Sequence, residues 1–326
     1  MTQMNLNLTR RSLIAGGSAA GLGATFGGGA VPAAAPLLGV LRPEIYRFEL
    51  GRFEVMTVLD GVRAVAKVYP IFGQNIAPDE LAAHLEANFL PADRMEIPFT
   101  PTVVNTGREV ILFDTGNGEG GRPGAGNTRA ALTAAGIAPE QVDIVVITHF
   151  HGDHIKGITE AGAPAYPNAR YVTGAREYDF WTDAGLLSDD RLKGRAELVR
   201  QKVVPFAEKM RFISPGDSVV SGIEAIGAFG HTPGHMAYHL ESEGRRLVLA
   251  ADTSNHYVAS LQKPDWHVVF DMDKEAAVAT RKALFGMIAA DRVPFIGYHM
   301  PPPAAGFIEE IAGGFRFVAV SYQLTL

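Results

Sequence analysis

A short segment near the middle of the chain, running from Thr148 to His154, has the residue types and the spacing of a metal-binding loop. It reads THFHGDH and places three of the ten histidines and one aspartate within six residues. Imidazole and carboxylate groups are the protein ligands expected for zinc and related divalent ions. The chain contains no cysteine, which excludes thiolate metal sites, cysteine nucleophiles and disulfides. Any metal must therefore be held by His, Asp and Glu side chains.

The element before this segment predicts how its side chains are aimed. The six residues before His149, DIVVIT, contain a continuous β-branched run typical of a buried strand. After a strand, residues two apart point the same way, so His149 and His151 are predicted to face one point. Gly152 is predicted to permit a sharp turn, after which Asp153 and His154 open a helix and face a second point. Two adjacent cations suit this arrangement, since the ions of two-metal hydrolases lie roughly 3.5 to 4 Å apart.

Each ion needs further ligands, and four other predicted strands end in loops that carry an aspartate or a histidine. Loops at corresponding strand ends are expected to gather their polar side chains over one edge of a sheet. The candidates are Asp114 in DTG, His231 in GHTPGH, Asp252 in ADT and His299 in GYH. By contrast, His235, at the end of the GHTPGH motif, is predicted to be a structural histidine bonded to the backbone.

The stretch from Asp114 to His299 resembles the metallo-β-lactamase superfamily, whose defining motif is His-x-His-x-Asp-His. The DTG, GHTPGH and ADT motifs and the late histidine occur here in the order that the family shows. The resemblance implies an α+β fold, the αββα sandwich of the metallo-β-lactamase type, in which two sheets pack face to face with helices outside. It also implies two divalent metal ions as cofactors, with zinc as the expected metal.

The resemblance assigns a role to each of the candidate residues. Asp114 would orient a metal ligand rather than bind metal itself. The implied ligands are His149, His151 and His231 for one ion, Asp153, His154 and His299 for the other, and Asp252 as a bridge between both.

Within the superfamily, the chain is similar to the branch of exported methyl parathion hydrolases and quorum-quenching lactonases, over most of residues 45–323. Many acyl homoserine lactonases carry a tyrosine shortly after the bridging aspartate, which helps to polarise the substrate carbonyl. This chain has Asn255 three residues after Asp252, and Tyr257 is displaced by two positions. In the methyl parathion hydrolase branch an aromatic residue near Trp181 lines an apolar pocket. Tyr257 and Trp181 are therefore the candidate pocket residues, and for Trp181 a place in the core is an equal alternative.

The chemistry implied is metal-assisted hydrolysis of a hydrophobic small molecule, a lactone or an ester. Acyl homoserine lactones and organophosphate triesters are the candidate substrates. A pair of divalent ions can lower the pKa of a shared water towards about 7 and so supply hydroxide at neutral pH. Asp252 and Asp153 are the candidate catalytic residues, and Asp252, or a water beside it, is the group expected to pass a proton to the leaving group.

Other functions on the same ligands stay open as alternatives. A β-lactamase is disfavoured because the commonest β-lactamase sites often use cysteine, whereas this chain has Asp153 and Asp252. A glyoxalase-type thioesterase shares the ligands. A di-iron redox protein would usually replace His151 with Glu and would need an electron-donor domain, and a non-catalytic metal-binding module is the last alternative. A net charge of −6 with no basic cluster in the body gives no reason to expect a nucleic-acid partner.

The first 35 residues differ in composition from the rest. Thr9-Arg10-Arg11-Ser12-Leu13-Ile14 begins a weakly apolar run with seven glycines, and the pattern resembles a twin-arginine export signal over residues 1–35. Cleavage after Ala33 is an alternative to cleavage after Ala35. Residues 36–326 are predicted to form a single hydrolase domain, periplasmic or secreted, with no stable membrane insertion after signal removal. A homodimer is left open.

Hydrophobic periodicity predicts alternating strands and helices through this domain. The predicted helices are 78–88, 127–135 with Asn127 as its N-cap, 175–182, 189–204 and 274–290. The predicted strands are 46–50, 52–60, 102–105, 109–113, 143–148, 210–213, 223–228, 236–240, 246–251, 293–297 and 315–323.

Overall fold

Two seven-stranded β-sheets form the centre of the computed structural model, which describes residues 41–322. Of the described residues, those from 42 onwards cluster as one compact unit. The predicted export signal at residues 1–35 lies outside the described residues. Within the described part of the chain, no helix is both long enough and apolar enough to span a membrane.

The strands and helices alternate along the chain. The strands are β1 (Ile45–Leu50), β2 (Phe53–Val58), β3 (Gly61–Val65), β4 (Met95–Phe99), β5 (Thr102–Asn105), β6 (Val110–Phe113), β7 (Ile144–Ile147), β8 (Thr159–Glu160), β9 (Ala163–Pro164), β10 (Arg170–Gly174), β11 (Met210–Ile213), β12 (Ser218–Val220), β13 (Ile223–Gly227), β14 (Met236–Ser242), β15 (Arg245–Ala251), β16 (Phe295–Gly297), β17 (Ala305–Ile311) and β18 (Gly314–Ala319). The helices are α1 (Pro78–Ala87), α2 (Thr128–Ala134), α3 (Gly152–Ile155), α4 (Ala175–Thr182), α5 (Lys193–Lys202) and α6 (Lys274–Asp291).

The strand order explains how distant loops come to one edge. The first sheet has the order β1-β2-β5-β6-β7-β10-β11 and the second has the order β12-β13-β14-β15-β16-β17-β18. In the first sheet β6, β7, β10 and β11 are parallel, and in the second β15 and β16 are parallel. Parallel strands end at the same sheet edge, so the loops after β6 and β7 lie together, and so do the loops after β15 and β16.

The two sheets share one apolar core. Buried side chains of the first sheet, such as Val55, Ile111 and Val146, lie in the same cluster as Tyr238 and Val248 of the second. A second cluster joins the other face of the first sheet to α2, α4 and α5, and α6 contributes Leu284, Phe285 and Ile288 to the core on the second sheet's side. Helices therefore flank a double sheet, and the predicted αββα sandwich is confirmed.

Several elements depart from their predicted bounds for local reasons. The strand predicted over 52–60 ends at Val58, because the chain turns at Asp60 and forms β3, which was not predicted. The partner of β3 is β4, which was not predicted either and contains Pro98; the pair forms a separate two-stranded sheet, where a proline is tolerated. The helix predicted from 189 begins at Lys193, because the Asp189 carboxylate accepts from the Arg191 backbone N–H at 2.8 Å.

Asn127 occupies the predicted N-cap position of α2, but its side chain does not cap the helix. The Asn127 side chain makes no capping bond and instead donates to the Asp60 backbone carbonyl at 3.0 Å. The Asp60 carboxylate takes the capping role from outside the helix, accepting from the Thr128 backbone N–H at 3.0 Å and from its hydroxyl at 2.6 Å. A cap supplied from another element cannot be found from local sequence alone.

Candidate metal centre

The seven predicted ligands meet in two adjoining groups at the edge where β7, β15 and β16 end. Within each group, one potential ligand atom from every residue lies within 4.8 Å of those of the others. Six of the seven side chains are buried, and Asp153 is half-buried. The first group is His149, His151, His231 and Asp252, and the second is Asp153, His154 and His299.

Asp252 lies between the two groups. Its Oδ2 is 3.2 Å from Nε2 of His231, and its Oδ1 is 3.3 Å from Nε2 of His154. Its Oδ2 is also 3.0 Å from Nε2 of His299. Asp153 completes the second group, with its Oδ2 3.6 Å from Nε2 of His299. One carboxylate is thus within reach of both groups, which is the position of a bridging ligand.

Several of these atoms are buried and make no hydrogen bond in the part of the chain that the structure describes. They include Nε2 of His149, Nε2 of His154 and Oδ1 of Asp252. Leaving a buried polar atom unpaired costs about 1–3 kcal/mol, so native proteins rarely do so without a reason. In addition, Nε2 of His231 and Nδ1 of His151 lie 2.9 Å apart, close to the spacing of about 3.3 Å expected for two nitrogens on one tetrahedral zinc. The donor set therefore fits two divalent cations.

The ring nitrogens on the far side of three ligand histidines are held by oxygen acceptors. Nδ1 of His154 lies 2.9 Å from Oδ2 of Asp114, and Nδ1 of His299 lies 2.7 Å from the Pro98 carbonyl. Asp114 is fixed in turn, because its Oδ1 accepts from the Thr148 backbone N–H at 2.9 Å. This arrangement sets ring orientation and tautomer, as is usual for metal-binding histidines. Asp114 thus occupies the orienting position that the resemblance implies.

A buried ion pair that the sequence did not reveal orients His231. Its Nδ1 lies 2.9 Å from Oδ1 of Asp271, and Oδ2 of Asp271 accepts from the Arg281 guanidinium at 2.8 Å. Arg281 is fully buried in α6 and also donates to the backbone carbonyls of Thr253 and Pro264, at 3.0 and 2.8 Å. Arg281 therefore connects the backbone of Thr253, next to Asp252, with Asp271, the residue that orients His231.

A second unpredicted residue, Glu177 of α4, joins the two loops that carry the first group. Its carboxylate accepts from the backbone N–H groups of Phe150 and Gly234 at 2.8 and 2.9 Å and from the Thr232 hydroxyl at 2.7 Å. Gly234 must be glycine here, because a Cβ would lie 2.2 Å from the Glu177 backbone nitrogen. The fully buried carboxylate is satisfied entirely by donors from the metal-binding loops and from its own helix.

The expectation that Trp181 lines a substrate pocket is wrong. Its side chain has no exposed surface, and its indole N–H donates to the Glu177 carboxylate at 2.8 Å. Tryptophan in such a place anchors a buried carboxylate rather than contacting a ligand. The core alternative for Trp181 is the one that the structure shows.

The residues after Asp252 depart from the acyl homoserine lactonase pattern in the structure, as they do in the sequence. Asn255 donates from Nδ2 to Oδ2 of Asp252 at 3.1 Å and so holds the carboxylate directly. Tyr257 packs beside His256, with ring centroids 4.9 Å apart, and lines a groove next to the metal cavity rather than the cavity itself. His235 is bonded to the backbone as predicted, with its Nδ1 2.8 Å from the Ala228 carbonyl.

Burial and charge act in opposite directions on these groups. Burial lowers the pKa of His149 well below its ordinary value. Burial also tends to lower the pKa of His154, but the neighbouring carboxylates, above all Asp252, outweigh it and raise that pKa well above the ordinary value. Burial tends to raise the pKa of Asp252, yet the surrounding histidines, above all His299, hold it well below the usual range. The charges around Asp252 therefore favour its carboxylate form, which is the form that binds a cation.

Two residues at the site have strained backbone conformations. Asp114 has φ of 63° and Ala251, directly before Asp252, has φ of 44°. Non-glycine residues in this left-handed region cost free energy, on the order of 1 kcal/mol or more, and they cluster at functional sites. Both residues lie where the chain turns at the end of a strand: Asp114 follows β6, and Ala251 ends β15 directly before Asp252.

A cavity of about 520 Å³ opens over the two groups, with His151, Asp153, Asp252 and His299 in its walls. A larger apolar groove of about 660 Å³ adjoins it. Both are bordered by the same short segment, residues 64–66. A substrate with its reacting group over the two ligand groups can therefore extend an apolar part into the groove.

Replacing Asp271 by asparagine should weaken zinc binding about 10-fold to 100-fold, the usual cost of losing an orienting partner of a metal-bound histidine. The size of the side chain is kept, but an amide cannot accept from both His231 and the Arg281 guanidinium as the carboxylate does. Competition with a chromophoric chelator measures the affinity. Asp265→Asn, at an exposed aspartate, is the control, and equal zinc affinity in both variants would contradict the orienting role.

Comparisons with known proteins all point to one family. The family model described as the metallo-beta-lactamase superfamily matches residues 100–294, more than half of the chain. Among curated proteins, an N-acyl homoserine lactonase of Bacillus cereus is 23% identical over 168 residues. That match covers 51% of this chain and spans 60% of the length of the lactonase.

Two solved structures are similar over nearly their whole length. The dizinc quorum-quenching lactonase AidC, in complex with a product, has 26% sequence identity and a TM-score of 0.77, covering 86% of this chain and 98% of that one. The hydrolase AbOPH of the beta lactamase superfamily has 25% identity and a TM-score of 0.80, covering 87% of this chain and 100% of that one.

Proposed function

Because the chain belongs to the metallo-β-lactamase superfamily, we propose that it is a dinuclear, zinc-dependent hydrolase of a hydrophobic lactone or ester. The observation that carries the proposal is the position of Asp252, within 3.3 Å of ligand atoms from both groups. Two structural relatives, one of them a dizinc lactonase, support the same class of reaction. An acyl homoserine lactone is the first candidate substrate, and an organophosphate triester is the second.

When bound, two divalent ions make water a nucleophile near neutral pH and stabilise the negative charge that develops on the substrate oxygen. The residues of this chain hold and surround that centre. Asp252 is kept ionised by the histidines around it and is fixed by the Asn255 amide, so it can accept a proton and pass it to the leaving group. Asp153 is the more exposed carboxylate and faces the same cavity.

The apolar groove beside the cavity favours a hydrophobic substrate. Its walls include Val65, Leu85, Leu90, Met95 and Tyr257. Its arginines are neutralised locally, since Arg42 pairs with Glu96 at 2.6 Å and Arg94 pairs with Asp93 at 3.0 Å. An acyl chain in this groove would gain about 0.8 kcal/mol for each methylene group removed from water.

Chain length should therefore control specificity. We expect kcat/KM to rise about 4-fold for each added methylene until the groove is filled. Ala66→Trp should abolish this gain by narrowing the passage, since Ala66 is exposed and borders both the groove and the cavity. Kinetics on a homologous series of acyl lactones measures how kcat/KM depends on the length of the acyl chain. Ala83→Trp, on the exposed face of α1, is the control, and equal chain-length dependence in both variants would refute this use of the groove.

The function is tested by kinetics on matched acyl lactones, aryl esters and methyl paraoxon, with the metal content measured in the same sample. Lactone or ester turnover with about two zinc ions per chain is the expected result. Turnover of methyl paraoxon alone would favour the organophosphate candidate. Iron with oxygen or nitric oxide reduction would point to a redox protein, and bound metal without turnover would point to a binding module.

We also propose that the protein is exported through the twin-arginine route to the periplasm or beyond. The support is the sequence alone, in Arg10 and Arg11 before the glycine-rich apolar run. Replacing both arginines by lysine should leave the full-length precursor in the cytoplasm of a bacterial host. Cell fractionation measures this, and an unchanged periplasmic fraction would contradict the route.

A further inference from the structure

We propose that Arg63, Lys156 and Arg195 form a cationic rim over the metal centre, and that the preferred substrates carry an anionic group close to the scissile bond. This inference rests on the proposed hydrolytic function and narrows it, because acyl homoserine lactones and organophosphate triesters are neutral: we expect an anionic lactone or ester to be hydrolysed faster than either. The three side chains come from three separate elements, namely β3, the turn after α3, and α5, and all three line the cavity of about 520 Å³.

Lys156 lies directly over the metal-binding loop. Its Cε and Nζ are 2.8 and 3.2 Å from the position that a Cβ on Gly152 would take. The absence of a side chain at Gly152 therefore makes room for the lysine, and Gly152 is not a residue with positive φ. The Lys156 side chain thus lies against Gly152, the residue between His151 and Asp153.

Arg63 lines the same cavity from β3. Its guanidinium carbon lies 5.7 Å from the centre of the Phe99 ring, within the range of a cation–π contact. The Phe99 ring in turn meets the His299 ring edge-on, with centroids 5.5 Å apart. The ring contact does not occupy the five N–H donors of the guanidinium. These donors therefore remain available to a ligand in the cavity.

Arg195 completes the rim from α5, where it is exposed. It lines the cavity together with His151, Asp153 and Asp252 of the candidate metal centre. None of the three rim cations forms an ion pair with a carboxylate among residues 41–322. The arginines of the apolar groove, by contrast, are paired.

The cavity consequently has an excess of positive charge. The acidic side chains in its walls are Asp153 and Asp252, and both belong to the candidate metal ligands. Bound divalent ions would add to the positive charge rather than cancel it. Such a cavity, in a chain whose net charge is −6, attracts anions locally and raises their rate of association.

The chemistry of the rim indicates which anion it would bind. Guanidinium groups match the geometry of carboxylates and phosphates, and an ammonium adds a compact charge. A neutral lactone leaves these donors to water, whereas a lactone with a nearby carboxylate or phosphonate engages them. Among the described residues that line the cavity there is no tyrosine, so the rim supplies its charged side-chain donors.

The test uses three matched γ-butyrolactones that bear a carboxylate, a phosphonate or a neutral carboxamide on the carbon next to the ring oxygen. With the metal-loaded wild type at low salt, kcat/KM for an anionic lactone should exceed that for the carboxamide about 10-fold. The ratio should fall with added salt, as the screening length shortens to about 10 Å at 0.1 M. Comparing the carboxylate with the phosphonate identifies which anion the rim prefers.

Single variants locate the effect. Arg63→Gln, Lys156→Gln and Arg195→Gln should each lower the ratio severalfold. Lys193→Gln removes an exposed charge two residues before Arg195 on the same helix, where it faces Glu197 at 4.0 Å, and should leave the ratio unchanged. Thermal unfolding of every variant verifies that the fold is retained.

A binding measurement separates this inference from the hydrolytic function. Calorimetry with 5-oxopyrrolidine-2-carboxylate and its amide, lactam analogues of the lactone pair, reports anion preference without turnover. Preferential binding of the carboxylate without turnover of any lactone would support the rim and refute the hydrolase. Turnover of all lactones at one rate, with equal binding of both lactams, would overturn the rim and leave the hydrolase standing. Failure of both measurements would overturn both.

Discussion

Asp252→Ala should lower kcat/KM by more than about 10³-fold for whichever lactone or ester the wild type hydrolyses best. Loss of a single group that stabilises the transition state costs about 10²- to 10³-fold, and this residue also reaches ligand atoms of both metal groups. His149→Ala should have an effect of the same kind, because it removes a buried ligand from the first group. Neither change removes a residue of the apolar core, so the fold should be largely retained.

The measurement pairs steady-state kinetics with metal content and circular dichroism of the same sample. Asp265→Ala is the matched control, since Asp265 is an exposed aspartate that pairs with Lys282. The control should keep full activity and about two ions per chain. Full activity in Asp252→Ala or in His149→Ala would contradict the proposed chemistry.

Glu177→Ala should cause the largest loss of stability among these changes, about 4 kcal/mol. The substitution leaves the backbone N–H groups of Phe150 and Gly234 and the side-chain donors of Thr232 and Trp181 without their acceptor. Each buried donor without a partner costs about 1–3 kcal/mol, and water entering the space left by the carboxylate offsets part of that cost. Urea unfolding of the metal-free protein measures the change.

The same variant should bind zinc more weakly, because Glu177 joins the loops that carry His149, His151 and His231. The zinc affinity of Glu177→Gln should be intermediate. The amide oxygen of glutamine accepts from some of the same donors, while the amide NH₂ group faces the others. Glu208→Ala, at an exposed position, is the control. If Glu177→Ala loses no more stability and no more zinc affinity than the control, the carboxylate does not hold these loops.

The candidate metal ligands were predictable because each lies at or just after a strand end that is marked in the local sequence. The β-branched run before His149 defines one strand, and the parallel order of β15 and β16 brings Asp252 and His299 to the same edge. Hydrophobic periodicity likewise predicted α4 with its observed bounds. In all these cases the signal extends over only a few consecutive residues.

The residues that orient the ligands left no such signal. Arg281 occupies a helix whose pattern reads as amphipathic, yet it is fully buried because Asp271 and two carbonyls satisfy it. Glu177 and Trp181 are neighbours on α4, but their partners lie on loops near residues 150 and 234. Long-range pairing of this kind depends on the assembled fold, and the same is true of the cap that Asp60 provides to α2.

The central claim is that seven side chains hold two neighbouring ions, and anomalous diffraction from zinc-loaded crystals at the zinc absorption edge tests it most directly. The account predicts two peaks roughly 3.5 to 4 Å apart, with Asp252 between them and the histidine nitrogens directed at them. A map with no peak among these side chains, from protein whose catalysis survives exhaustive chelation, would contradict it.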